Sequence, residues 1–405
     1  MPDPHKNSPV VLIMLPHFKG IGGHLYTYFR AVGRATEILG WEHHVYLPLK
    51  HNISRIPEDI PENWHFALDQ GVTIKNDLAN KVIRRLQSFS TALFKLSSTV
   101  RQVLSHHLSE SERPLIVITD DYWVSRIAGV LVASLQSSDR IHVWCIERLG
   151  IMPWKYWLTA KWWQQPFRIY TEILMGKMYQ RLRNASRFQF LTDSELVAQT
   201  WPSSEPMTVL PIPHLETCID NPKLDLKKNG QILCWLGKAD SYKYEFLRYL
   251  DLHDVLGKNK LSFAIQDSQQ SSTRFLSLDV SILPNGLSRQ EYMSWLDASD
   301  ILLYPHPAML YLNSTSGVFV EMVAMKKRCL ASAGTWMAHE LAQYGLEDLI
   351  VTNWKMPDIT QILLHAATDP ILAEKLETMS KQYQLIHGEK AYAQKILELW
   401  TRTSA

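Results

Sequence analysis

The order of apolar runs along this chain constrains its fold more than any other feature. Short strand-like runs alternate with longer segments whose apolar residues recur at helical spacing. Strands that alternate with helices predict a parallel sheet covered by helices. The strand-like runs begin at Val10, His44, Leu115, Ile141, Gln231, Leu261, Ser281 and Ile301.

A polar stretch rich in proline, from 211 to 229, separates the runs into two series. A chain of 405 residues is also too long for one ordinary core and suits two domains. We therefore predict an α/β protein with a Rossmann-like doubly wound domain at 1–215 and a second one at 225–385. Within the first domain, apolar residues three and four apart predict a long amphipathic helix over 77–109.

Composition narrows the class of protein. The formal net charge of +2 lacks the positive charge density of a nucleic-acid binder, so no nucleic-acid partner is expected. The four cysteines are scattered without metal-ligand spacing and are expected to be reduced. No targeting peptide and no apolar run of about 18 residues is evident, which favours a cytoplasmic protein that is not integral to a membrane.

A glycine-rich turn follows the first strand-like run. Gly20, Gly22 and Gly23 stand between that run and an amphipathic segment that begins at His24. Without Cβ atoms the backbone can approach a ligand closely, and ligands of open α/β sheets bind outside the carboxyl ends of the strands. The alternative is an ordinary tight turn between a strand and a helix.

A second candidate site lies between 236 and 321. Lys238 and Lys243 follow the apolar run that ends at Leu236, and Asn313–Gly317 is a cluster of small residues before a predicted helix. Unpaired amides and the dipole at a helix start favour a phosphate. Glu321, a few residues inside that helix, could accept hydrogen bonds from ribose hydroxyls, as an acidic residue does in dinucleotide folds. Together these residues predict a pocket for a nucleotide-diphosphate sugar.

These motifs resemble the retaining, two-domain GT-B glycosyltransferases of the group 1, or family 4, type. Gly237-Lys238 and Lys243 have the spacing of that family's diphosphate-binding residues. Glu321 falls on the second glutamate of the family's Glu-x7-Glu element, whereas Asn313 replaces the first. The resemblance implies two Rossmann-like domains that face each other across a cleft, with a final helix, 386–405, that packs back on the first domain.

The resemblance also implies a role for each candidate residue. Lys238 and Lys243 would stabilise the departing diphosphate, and Asn313 would hydrogen-bond a hydroxyl of the donor sugar. Glu147 stands where the family places a histidine that contacts that sugar; it would stabilise developing positive charge there, or it is simply salt-bridged. The remaining donor-binding residues implied are Gly22, Gly23, Gly237, Ser316, Gly317, Val318 and Glu321. His17, His24 and His306 lie in the same loops and are expected to be ordinary surface or satisfied residues.

The expected activity is transfer of a sugar from a nucleotide-diphosphate donor to a glycan or lipid-linked acceptor, as in polysaccharide biosynthesis. Retention of anomeric configuration, no metal and no cofactor besides the nucleotide-sugar co-substrate are expected. Two alternatives stay open. One is a sugar-nucleotide epimerase, and the other is a catalytically silent GT-B protein that binds or stabilises an active transferase.

The segment 151–187 combines basic residues with the tryptophans Trp154, Trp157, Trp162 and Trp163. This mixture is typical of a membrane interface, where rings lie at headgroup depth and cations meet anionic lipid. It predicts docking on the inner face of a membrane, as a peripheral protein. The alternative is a helix that packs its aromatic face on the sheet and exposes a basic face to solvent.

Overall fold

The computed structural model describes residues 8–404 with several internal gaps. The gaps are residues 17, 19–23, 54–59, 70–80, 120–122, 136–137, 148–179, 181, 183, 201–206, 214–229, 254–257, 268–274 and 276. The chain divides into two compact units. The first comprises Met1–Pro211 and Glu389–Ala405, and the second is Ile212–Gly388.

The first unit contains a seven-stranded parallel sheet with the strand order β3-β2-β1-β4-β5-β6-β7. Its central strands β1, β4 and β5 are buried along their whole length, which is why they read as continuous apolar runs. The strands are Val10–Met14 (β1), Glu42–Pro48 (β2), Trp64–Leu68 (β3), Leu115–Thr119 (β4), Ile141–Ile146 (β5), Phe188–Thr192 (β6) and Thr208–Val209 (β7).

Helices connect these strands, and the last helix of the chain also belongs to this unit. They are His24–Ile38 (α1), Lys81–Glu110 (α2), Trp123–Leu135 (α3), Glu195–Thr200 (α4) and, in the same unit, the terminal helix Glu389–Ser404. The terminal helix packs on α1 through the rings of Tyr28 and Tyr392, whose centroids are 6.4 Å apart. An ion pair between Arg34 and Glu389 joins the same two helices.

The second unit contains a six-stranded parallel sheet with the order β10-β9-β8-β11-β12-β13. Its strands are Ile232–Lys238 (β8), Leu261–Gln266 (β9), Asp279–Leu283 (β10), Ile301–Tyr304 (β11), Arg328–Ser332 (β12) and Ile350–Val351 (β13). Its helices are Ser241–Leu252 (α5), Arg289–Ala298 (α6), Ala308–Tyr311 (α7), Gly317–Ala324 (α8), Trp336–Gln343 (α9), Ile359–Thr368 (α10) and Pro370–Ile386 (α11), and the terminal helix of the first unit is α12.

The prediction of two doubly wound parallel sheets is confirmed. The first strand of each sheet lies inside it, with later strands added on both sides, so each sheet has a point where the strand order reverses. Strands β3, β6, β7, β12 and β13 are not among the strand-like runs predicted from the sequence. Two of these strands, β7 and β13, are only two residues long, too short to show a pattern. In the part of the chain that the structure describes, no helix has the length and apolarity to cross a bilayer.

Candidate functional site

The candidate site lies at the strand-order reversal of the second sheet, between β8 and β11. These strands are direct neighbours, and Cys234 pairs with Ile301 in the ladder. Later strands extend the sheet away from this pair on either side, which opens a crevice at the carboxyl ends of the two strands. Most of the residues predicted for donor binding lie at the end of β8, in the first turn of α5 and in the loop and helix α8 that follow β11.

The end of β8 is shaped by Gly237. The pairing of β8 with β9 shifts register between Trp235 and Gly237, and Gly237 has a φ of +66°. A side chain is strained at that φ, so glycine suits this position. The bend places Lys238 last in the strand, where its side chain is exposed and has no ion-pair or hydrogen-bond partner among the described residues.

Lys243, by contrast, is buried in the first turn of α5, with 7% of its surface exposed. Its Nζ donates a hydrogen bond to the carbonyl of Lys238 at 2.7 Å and lies 3.5 Å from Oδ2 of Asp240. Burial lowers the pKa of Lys243, and the charge of Asp240 opposes that shift. The two predicted lysines are therefore joined directly, with one side chain exposed and the other buried beneath the turn.

Asp240 is the residue that organises this turn. Its Oδ1 accepts hydrogen bonds from the amides of Tyr242 and Lys243, each at 3.0 Å, and so caps α5. Its Oδ2 accepts a hydrogen bond from Nε2 of His306 at 2.7 Å. Burial opposes ionisation of Asp240, but the bond from His306 and the charge and amide of Lys243 outweigh it and lower its pKa to about 2.

The start of α8 forms another wall of the site. Oγ of Ser316 accepts a hydrogen bond from the amide of Phe319 at 3.2 Å and lies 2.6 Å from the hydroxyl of Tyr304, at the end of β11. Gly317 is buried and Val318 is partly exposed. The amides of the first helical turn have no acceptor within the helix, and the helix dipole adds partial positive charge there. This end of α8 suits an anion.

Glu321 is buried one turn further along α8, with 4% of its surface exposed. Oε1 accepts a hydrogen bond from Nη2 of Arg289 at 2.8 Å, and Oε2 accepts one from the hydroxyl of Tyr292 at 3.1 Å. Burial and the charge of Glu321 raise the pKa of Tyr292, so this hydroxyl stays protonated and can donate. Glu321 is thus held in a fixed orientation by two side chains of α6.

Asn313 lies in the loop between α7 and α8, partly exposed, and no hydrogen bond of its side chain is found among the described residues. Tyr311 precedes it on α7, and its ring contacts that of His306 with centroids 4.7 Å apart. Six predicted residues therefore lie in or next to the connections that follow β8 and β11: Gly237, Lys238, Lys243, Asn313, Ser316 and Gly317. Val318 and Glu321 follow on α8.

The other predicted residues belong elsewhere. Glu147 is in the first unit, directly after β5, where it is 9% exposed and its amide donates to the carbonyl of Leu191 at 2.7 Å. Gly22 and Gly23 lie outside the described residues, as does nearly all of the segment 151–187. The described cysteines, Cys145, Cys234 and Cys329, are buried thiols that form no disulfide with one another. Among the described residues, no three His, Cys, Asp or Glu side chains are grouped as metal ligands.

Sequence reasoning missed several polar residues of the site. Asp240 could have been found, because an aspartate directly before a helix is a common cap. His306 was expected to be an ordinary histidine, and its bond to Asp240 spans 66 residues of sequence. Arg289 and Tyr292, spaced three residues apart on α6, carry no local signal that they would meet Glu321.

The comparisons with known proteins concern the fold. No family model matches the sequence, and no curated protein does either. Among solved structures, sucrose-phosphate synthase from Thermosynechococcus elongatus matches with a TM-score of 0.63 at 16% identity, over 97% of this chain and 98% of that chain. A glycosyltransferase from Rickettsia africae matches with a TM-score of 0.59 at 13% identity, over 98% of this chain and 99% of that chain.

A third match is described as trehalose-6-phosphate from E. coli bound with UDP-2-fluoro glucose. Its TM-score is 0.59 at 12% identity, over 96% of this chain and 98% of that chain. At identities this low, the similarity establishes the fold alone. The chain has the two-domain GT-B fold, with a Rossmann-like sheet in each domain.

Proposed function

We propose that this protein transfers a sugar from a nucleotide-diphosphate donor to an acceptor, with retention of the anomeric configuration. The observation that carries the proposal is the pairing of two cations with a helix start. The exposed ammonium of Lys238 at the end of β8, the buried ammonium of Lys243 in α5 and the amide end of α8 all border the strand-order reversal of one sheet. Diphosphates are bound by such combinations of cationic side chains and helix amides.

Solved structures with the same fold support a nucleotide donor. The E. coli protein described above is bound with UDP-2-fluoro glucose, and the glycosyltransferase VinC, which matches with a TM-score of 0.51, is in complex with DTDP. These ligands are nucleoside diphosphates, with or without a sugar. We propose that the second unit of this chain binds the same class of ligand.

The chemistry proposed is electrostatic. When the bond between the anomeric carbon and the diphosphate breaks, negative charge develops on the leaving group. Lys238, Lys243 and the first-turn amides of α8 would stabilise it more strongly than they stabilise the bound donor, which is the requirement for catalysis. Under this proposal the leaving group needs no metal ion.

Two further roles complete the proposal. Asn313 hydrogen-bonds a hydroxyl of the donor sugar, because an amide can both donate to and accept from a hydroxyl. Glu147, a carboxylate of the first unit, stabilises the positive charge that develops on the sugar ring. The acceptor class proposed is a glycan or a lipid-linked precursor. A lipid-linked precursor would be met at an anionic membrane, on which the basic and aromatic segment 151–187 would dock.

The test is release of nucleoside diphosphate from a panel of UDP, GDP, ADP and dTDP sugars. A transferase or a slow hydrolase releases nucleoside diphosphate. An epimerase that stops at a sugar-nucleotide product releases none but changes the sugar, and a silent partner does neither. Lys243→Ala should slow release by about 10-fold or more, whereas the matched control Lys260→Ala, an exposed lysine of the same unit, should leave it unchanged. Absence of release with every donor and acceptor would refute the transferase.

A further inference from the structure

His306 is a buried imidazole with one hydrogen-bond partner among the residues that the structure describes. Only 4% of its surface is exposed, and its Nε2 lies 2.7 Å from Oδ2 of Asp240. Its Nδ1 is also buried and has no hydrogen-bond partner among the described residues, while the ring of Tyr311 contacts the imidazole face. Burial of a polar ring costs free energy unless its polar atoms form hydrogen bonds. The contact with Asp240 is such a bond.

Asp240 connects His306 to the buried lysine. The carboxylate is fixed on one side by the amides at the start of α5, which bond to Oδ1, and on the other side by His306, which bonds to Oδ2. That same Oδ2 lies 3.5 Å from Nζ of Lys243. Two acceptors hold this ammonium, the carbonyl of Lys238 at 2.7 Å and the carboxylate of Asp240, so the orientation of the carboxylate contributes to where the ammonium of Lys243 lies.

The bond also joins the two strands at the centre of the site. Asp240 follows β8, and His306 follows β11, which is the neighbour of β8 across the strand-order reversal. Lys238 ends β8 and Lys243 lies in the first turn of α5, on either side of Asp240, and the chain after β11 leads to Asn313 and α8. The Asp240–His306 bond therefore links the two halves of the diphosphate site.

We propose that His306, acting through Asp240, is a positioning residue for Lys243 in diphosphate binding. The inference rests on the proposed function, because it assumes that Lys243 binds the diphosphate of the donor. Without the bond from His306, Oδ2 of Asp240 loses its partner, and only the two amide bonds to Oδ1 restrain the carboxylate. The position of Oδ2 relative to the ammonium of Lys243 is then less well fixed. A simple core histidine would stabilise the fold without affecting how Lys243 binds its ligand.

The experiment first measures binding of UDP, GDP, ADP and dTDP to the wild-type protein by calorimetry. If none binds, the proposed function fails and this inference fails with it. With the nucleotide that binds best, a double-mutant cycle then compares His306→Leu, Lys243→Ala and the double variant. Loss of a charge-assisted hydrogen bond predicts that Lys243→Ala weakens binding by about 10-fold or more.

We expect His306→Leu to weaken binding by a large part of that factor and the double variant to bind no worse than Lys243→Ala alone, because both changes disable one group. His306→Gln, whose amide can donate to Asp240, should restore most of the affinity. Full additivity in the cycle, or no rescue by glutamine, would overturn the positioning role while leaving the proposed function in place.

Two controls keep the result independent of folding. Asp240→Asn keeps an N-cap for α5 but removes the charge, so it should weaken binding even if His306→Leu is poorly folded, and it enters the same cycle with Lys243→Ala. His253→Leu changes an exposed histidine at the other end of α5 and should bind as the wild type does. If Asp240→Asn binds the nucleotide normally, the proposal is wrong.

Discussion

Nη2 of Arg289 donates a hydrogen bond to Oε1 of Glu321 at 2.8 Å, with only 5% of the glutamate side chain exposed. The carboxylate that we assign to the ribose is therefore already oriented by the protein, with one oxygen bonded to Arg289 and the other to Tyr292. This arrangement gives Glu321 a structural role beside the binding role predicted for it. The two roles predict different responses to the same substitution.

We expect Glu321→Gln to reduce the preference of the protein for a ribonucleotide. A hydrogen bond from the 2′-hydroxyl to a carboxylate contributes about 1.5 to 3 kcal/mol to the free energy of binding. A 2′-deoxy nucleotide cannot form this bond. The ratio of Kd for 2′-deoxy-UDP to Kd for UDP should fall towards one in the variant; if UDP binds weakly, the same pair of another base is used. An unchanged ratio together with a lowered melting temperature would mean that Glu321 only holds Arg289 and Tyr292.

Lys238 and Lys243 should respond differently to removal. Lys238→Ala removes an exposed ammonium, so we expect the free energy of unfolding to change by less than about 0.5 kcal/mol while donor binding weakens by about 1.5 to 3 kcal/mol. Lys243→Ala should weaken binding to a similar degree and also lower stability, because it removes the 2.7 Å bond to the carbonyl of Lys238. Calorimetry and urea unfolding measure the two effects, with Lys260→Ala as the control for both.

A buried histidine should make stability depend on pH. The amide of Ile212 donates to Nδ1 of His387 at 3.1 Å, so the imidazole is neutral, and burial lowers its pKa to about 4 from an ordinary value of 6.5. The folded state thus binds fewer protons than the unfolded state between these values. The contribution of neutral His387 to the free energy of unfolding is complete above pH 6.5. It falls by about 1.4 kcal/mol per pH unit as the pH decreases towards 4.

Burial similarly lowers the pKa of His107 and of His142 to about 4, so the slope should exceed that of one group. Urea midpoints measured from pH 7.5 to 4.5 give the slope. His387→Gln, which keeps an acceptor for the amide of Ile212, should make it shallower. An identical slope in the variant would contradict the assignment.

The sequence predicted those parts of the fold that depend on local pattern. The bounds of β4 and β11 agree with their apolar runs, because strands buried on both faces are continuously hydrophobic. One helix start was less accurate: the apolar pattern of the sequence places the start of α5 near Tyr244, but the helix begins at Ser241 because Asp240 caps it. The edge strand β3 was missed because its middle residues are only half-buried and it lacks a continuous apolar run.

The site was predictable to the extent that it is built from adjacent residues. The turn Gly237-Lys238 and the start of α8 are each contiguous in sequence, and both could be recognised there. The contacts of Asp240 with His306 and of Arg289 with Glu321 depend on strand order and on the packing of α6, which no local pattern encodes. For the same reason, composition could not show that Lys243 is buried and Lys238 exposed.

The segment 151–187 leads to the last prediction, docking on an anionic membrane. Each Lys or Arg near such a surface contributes on the order of 1 kcal/mol, and the attraction is screened within about 10 Å at 0.1 M salt. Cosedimentation with vesicles that contain anionic lipid should therefore be detectable at low salt and decrease as salt rises. Lys155, Lys161 and Arg168 changed together to Glu should abolish it, whereas the same change at three basic residues of the second unit, Lys258, Lys260 and Lys326, should not. Absence of binding at low salt would mean that the tryptophans are core residues and that the acceptor is met in solution.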